Sequence, residues 1–162
     1  MIVMKNLIAT TLLFLLFNQS HAQCNVQTNI REDGTTVKYL SPDRVGLNDK
    51  IAIGLAMQTN GEQFFVTTLT IFEKDAKRLT GTMTLKFANN KSSTFEHYKS
   101  EFTTFKGMPA TISIFICDEN DLQNISSSNV TIVMVQLDNG EYQAVKAELN
   151  SDILKKYYNC LK

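Results

Sequence analysis

Apolar and polar residues alternate with a period of two over much of the chain, the spacing of a strand with one face on a core. Ile51, Ile53, Leu55 and Met57 alternate with Ala52, Gly54, Ala56 and Gln58. Phe64 to Phe72 is rich in β-branched and aromatic residues, which suit a pleated, half-buried surface. Met83, Leu85 and Phe87 alternate with Thr82, Thr84 and Lys86, and Thr94 to Tyr98 can pair back on them. Ile112, Ile114 and Ile116 share one face of a further strand, with Ser113, Phe115 and Cys117 on the other. Val130 to Leu137 is a near-continuous apolar run, the mark of a strand covered on both faces. A strand from about Tyr142 to Leu149 follows it, and a short one near Val37–Tyr39 precedes the whole series.

Turn residues punctuate these runs. Asn60-Gly61 and Asn139-Gly140 each join two strands, and a type I′ turn there needs φ > 0 at both positions. Asp33-Gly34 and Asn89-Asn90-Lys91 are further turns, and the charged Lys74–Arg78 is a loop. Two segments leave the strand period. Asp118 caps a short helix to Ser126, with Leu122 and Ile125 inward. Ile153, Leu154, Tyr157, Tyr158 and Leu161 form one helical stripe, capped by Asn150 or Ser151, with Asp152 at its positive end. Seven or eight short strands with two helices predict a mainly β fold. The expected architecture is a single antiparallel β-sandwich or small barrel-like domain over residues 23–162.

The first 22 residues stand apart and read as a signal peptide. Lys5 supplies a positive start, and Leu7–Phe17 is an apolar run shorter than the roughly 20 residues a membrane-spanning helix needs. Ser20-His21-Ala22 fits a small-x-small cleavage pattern, placing the cut between Ala22 and Gln23. The product is expected to be secreted or periplasmic, with no transmembrane segment after cleavage. Cys24 raises lipoprotein processing, but Gln23 and His21 depart from that pattern, which favours a soluble product.

Charge narrows the partners. Sixteen basic and sixteen acidic residues balance, and loss of Lys5 leaves the mature chain slightly acidic. Nucleic-acid binders need clustered cations to displace phosphate counterions, and Lys155-Lys156 is better read as a solvated helix face. The expected partner is instead a protein or another cell-envelope component.

Candidate chemistry is thin. His97 is the one histidine beyond the leader, and there is no C-x-x-C pair, so neither a metal nor a cofactor is expected. Asp118-Glu119-Asn120-Asp121 fails as a calcium loop, because Leu122 and Gln123 fall where a ligand and a glycine are needed. Cys117, His97 and Asp118 supply the residue types of a thiol nucleophile, but the strand pattern around Cys117 suits packing or a disulfide. Nothing singles out a pair of carboxylates for hydrolysis. Tyr39, Tyr98 and Tyr142 near strand ends could offer sugar platforms and are equally suited to half-buried strand positions. Three cysteines in an oxidising compartment allow one pair and leave one over.

The residue order also carries a family resemblance. Cys24, then Glu32-Asp33-Gly34-Thr35, Leu85-Lys86-Phe87-Ala88-Asn89-Asn90, Asn139-Gly140-Glu141-Tyr142 and a closing Tyr158-Asn159-Cys160-Leu161 resemble small exported bacterial β-rich proteins with a cysteine near each end. That resemblance implies export, a β fold and a Cys24–Cys160 disulfide with Cys117 as a buried odd thiol, and it implies no reaction. The functional expectation is a non-catalytic extracytoplasmic binding or structural module. The alternatives are a secreted hydrolase with dispersed carboxylates and an inhibitor acting through a loop such as Gly107-Met108-Pro109.

Overall fold

A computed structural model describes residues 24–162. The leader and the Ala22–Gln23 junction lie outside the described residues. The elements run β1 (Gln27–Ile30), β2 (Thr36–Tyr39), β3 (Asp43–Leu47), β4 (Ile51–Thr59), β5 (Phe64–Phe72), β6 (Leu79–Phe87), β7 (Ser92–Phe105) and β8 (Met108–Cys117). Helix α1 (Glu119–Ser127), β9 (Val130–Leu137), β10 (Tyr142–Lys146) and helix α2 (Ile153–Leu161) complete the chain. The strands form one antiparallel sheet in the order β1-β2-β4-β5-β8-β7-β6-β9-β10, with β3 added to β4.

The sheet curls until β3 meets β10. Leu149 N donates to Val45 O at 3.0 Å, and Asn48 Nδ2 donates to Ala144 O at 3.0 Å. A Cβ on Gly46 would fall 1.9 Å from Lys146 O, so only glycine lets the two backbones meet. Two crossovers close the ends of this small barrel. The β5–β6 segment passes over β8 and β7 at one end, and α1 carries β8 to β9 over β7 and β6 at the other.

The helical end is heavily fastened. Asp118 Oδ1 accepts from Asp121 N at 2.8 Å while Asp121 Oδ2 accepts from Asp118 N at 3.1 Å, a reciprocal cap on α1. Ile125 of α1 and Leu154 of α2 are fully buried. Cys24 and Cys160 form a disulfide with Cα atoms 5.7 Å apart, linking positions 136 residues apart. On a chain-entropy account such a link stabilises the fold by about 5 kcal/mol.

Several expectations need correction. Ten strands are present among the described residues; β1 and β3 were missed because they are short and sit in polar sequence. β7 continues to Phe105, far beyond Tyr98, and β10 stops at Lys146. Val130–Leu137 is covered on one face only, since Thr131 is exposed and Ile132, Met134 and Gln136 are half-buried. The Asn-Gly hairpins form without a type I′ turn. Of the four Asn-Gly residues, Gly61 and Gly140 alone have positive φ; Asn60 Oδ1 accepts from Gln63 N at 2.7 Å and Asn139 Oδ1 from Glu141 N at 3.0 Å. Neither Asn150 nor Ser151 occupies the cap of α2; Asp152 does, without a side-chain cap bond.

Strand parity decides what the barrel holds. Ile53, Leu55, Met57, Met83, Leu85, Phe95 and Phe115 are fully buried. Phe115 points inward, so Ser113 and Thr111 do as well, opposite Thr68 and Thr70 of β5. Ile112, Ile114 and Ile116 consequently face outward. Phe115→Ala is expected to cost about 3–5 kcal/mol in urea unfolding, the range for an emptied aromatic core site. Ile114→Thr, one residue away, is expected to cost under about 1 kcal/mol; equal losses would show that both faces are core.

Candidate functional site

The outward row on β8 joins a larger apolar surface. β5 contributes Phe65, Leu69 and Ile71, all half-buried, and β4 contributes Ala52 and Gly54. Leu47 of β3 lies opposite Ala52 and is 58% exposed. At the end away from the helices the surface deepens into a groove of about 440 Å³ between β3, β4, β5 and the β7–β8 hairpin. Leu47, Leu69, Ile71, Phe105 and Met108 supply its apolar lining. Arg44, Lys50 and Lys106 bring positive charge and Asp49 and Glu73 negative. Lys50 is engaged by Glu141 at 2.8 Å.

The hairpin is built to project. Beyond Phe95, β7 leaves its ladder with β6, and the β5–β8 ladder ends at Ala110. Phe105 pairs with Met108 and Thr104 with Pro109, flanked by no other strand. Lys106 (φ 51°) and Gly107 (φ 81°) make the two-residue turn with positive φ at both positions. The segment Gly107-Met108-Pro109 is thus a turn and strand start, not an extended loop.

The inward hydroxyls have a different task. Ser100 Oγ donates to Leu79 O at 2.8 Å and lies 2.7 Å from both Ser113 Oγ and His97 Nε2. Its single proton is directed to the carbonyl, so Ser113 and His97 act as donors, and His97 carries its proton on Nε2. Thr111 Oγ1 donates to Lys77 O at 2.7 Å. These bonds grip the crossover between β5 and β6. Within this pattern His97 supplies no base to Ser100, since the shared proton is its own.

The structure does not assemble the thiol nucleophile. Cys117 is buried, and burial, with Asp121 and Asp118 nearby, pushes its thiol far above the ordinary range. His97 instead packs edge-on against Phe115 at 5.7 Å. Among the described residues no three His, Cys, Asp or Glu side chains gather to hold a metal, and no helix is long and apolar enough to cross a membrane. Glu141, in the cavity beside the β5–β6 crossover, is held low by the bonds from Lys50 and Asn139 and the charge of Lys50. A general acid for hydrolysis needs the reverse shift. Tyr98 and Tyr142 are exposed, and Tyr98 leans on Phe65 at 5.7 Å; Tyr39 is half-buried.

Sequence reasoning did not single out Phe102, Phe105 and Leu47. Phe102 and Phe105 fall in a stretch where alternation is hidden by Thr103-Thr104, and Leu47 lies beside polar residues. The one available signal was the absence of any carboxylate from Phe102 to Cys117. No protein-family model, curated protein or solved structure matches this chain.

Burial lowers the pKa of His97 below its ordinary value of 6.5. The unfolded chain therefore binds the proton more readily. The stability contributed by neutral His97 is full above pH 6.5 and declines as pH falls from there towards the folded value. An NMR titration is expected to place the His97 midpoint below 6.5, and His97→Gln is expected to remove that part of the acid decline. A midpoint at or above 6.5 would contradict the buried setting.

Proposed function

We propose that the protein is an exported, non-catalytic binding module of the cell envelope, and that its contact surface is the outward face of β4, β5 and β8. One observation carries this reading. Strands β5 and β8 turn Thr68, Thr70, Thr111 and Ser113 inward and β8 turns its three isoleucines outward, beside an apolar groove. A contiguous exposed apolar surface on a folded protein marks a place where something binds. Export draws support from the leader pattern before Gln23 and from the Cys24–Cys160 disulfide, which persists in oxidising compartments. The hydrolase alternative draws none from Glu141, whose carboxyl is held ionised.

The test is a paired substitution on this face, Leu69→Ser with Ile112→Ser. Neither residue belongs to the buried core, so thermal unfolding is expected to shift by only a few degrees. The wild-type protein is expected to fractionate with the host envelope, and the variant is expected to be recovered free. A wild-type protein recovered wholly free, or a folded variant that stays with the envelope, would contradict the reading.

A further inference from the structure

Resting on that reading, we propose that the occupant of this surface is an anionic lipid bilayer, and that the β7–β8 hairpin with Leu47 is the element that enters it. Phe102, Phe105, Met108 and Leu47 are 53%, 37%, 44% and 58% exposed at the barrel end opposite the helices. Leu47, Phe105 and Met108 line the same groove, and Phe102, paired with Thr111, lies on the other face of the hairpin. Aromatic and long apolar side chains gathered on a projecting element suit the boundary between headgroups and acyl chains.

Charge fixes the kind of surface. Arg78 Cζ sits 5.0 Å from the centre of the Phe102 ring, and Lys106 Nζ sits 5.5 Å from that of Phe105. Each ring therefore has a cation beside it whose charge can meet a lipid phosphate. Between Phe102 and Cys117 there is no carboxylate, and Lys106 is the one charged residue. Arg44 adds a further cation beside Leu47 and the groove. The neighbouring acids are Glu101, paired with Lys99 at 2.5 Å, Asp49 and Glu73 in the groove wall, Asp75 in the β5–β6 crossover, and Asp138, whose carboxylate accepts from Arg78 N at 3.3 Å.

The hairpin geometry suits this role. Its tip residues pair only with one another, so entry into a bilayer breaks no ladder with β5 or β6. The two-residue turn places Lys106 at the point of the hairpin in a left-handed conformation that asparagine or glycine adopts more readily. The helices and the disulfide lie at the far end. The docked molecule stands on its hairpin with the stapled end away from the bilayer.

Vesicle sedimentation with the protein recovered from its host tests this. Vesicles of phosphatidylglycerol with phosphatidylethanolamine are compared with phosphatidylcholine alone. Binding is expected to the anionic vesicles, to weaken with added salt, and to be slight on phosphatidylcholine. Phe105→Ser with Met108→Ser, and separately Lys106→Glu, are each expected to lower it at least about tenfold. Ile30→Ser, at an apolar residue exposed on β1, is expected to leave it unchanged. Circular dichroism confirms that each variant is folded. No sedimentation with either vesicle overturns the proposal, as does binding that ignores the hairpin variants or is lost equally in Ile30→Ser. Dimerisation through the same hairpin residues without lipid overturns it in favour of a second copy. If vesicle binding fails while envelope association still depends on Leu69 and Ile112, the lipid proposal falls and the binding-module reading stands.

Discussion

The width of the barrel interior governs everything else in this fold. Phe115, Phe95, Met57 and Met83 fill it with large side chains, and a closed sheet of this size has room for only so many. The positions facing them must be small. β5 and β8 meet that limit with Thr68, Thr70, Thr111 and Ser113, all without exposure. A polar group placed in such a setting needs a partner. Thr111 and the Ser100–Ser113 pair find theirs in or beside the β5–β6 crossover, at Lys77 O and Leu79 O. The hydroxyls of Thr111, Ser113 and Ser100 therefore hold the crossover at one barrel end, while Thr68 and Thr70, whose hydroxyls find no partner among the described residues, keep the bore narrow. The isoleucines that alternate with them have only the outer face left.

That allocation divides the molecule into two ends. At one, α1 and α2 pack their apolar residues over the barrel and the Cys24–Cys160 link ties the start of the described chain to the last helix. At the other, the β7–β8 hairpin outruns its neighbours and the groove opens beside it. Ordering and stapling are concentrated at the end away from the proposed contact residues. Apart from Leu47 on β3, these belong to a hairpin fixed by a two-residue turn, so the proposed contact surface is preorganised, and little ordering entropy opposes its use.

The longer strands other than β7, both helices and the β4–β5, β6–β7 and β9–β10 turns were legible in the sequence; the reach of β7 and its hairpin with β8 were not. Alternation over Ile51–Met57 and Thr82–Phe87 is strong, and Asp118 announces its helix directly. What alternation cannot convey is which of two faces turns inward. β8 offers Ile112, Ile114 and Ile116 on one side and Ser113, Phe115 and Cys117 on the other, and hydropathy alone favours the isoleucines as core. The register with β5, which sets Phe115 against Val66, gives the opposite answer, and register is a property of the assembled sheet. The same limit hid the site. Phe102 and Phe105 become a surface feature only because β6 ends its ladder with β7 at Phe95. Val130–Leu137 was over-read for the related reason that apolar residues on an outer face look like burial when seen in one dimension.

The outward isoleucine row is the claim on which the functional account stands, and solvent exposure of isoleucine methyl groups tests it most directly. In a methyl-labelled sample with a soluble paramagnetic agent, the Ile30 methyl signal, at 69% exposure, is expected to broaden most, and that of Ile112, at 37%, next. Ile114 and Ile116 should follow, and Ile53 and Ile125, which have no exposure, should stay sharp. Protection of Ile112 to the level of Ile53 in the isolated, monomeric protein would mean that the isoleucine row is core, and it would contradict the account at its base.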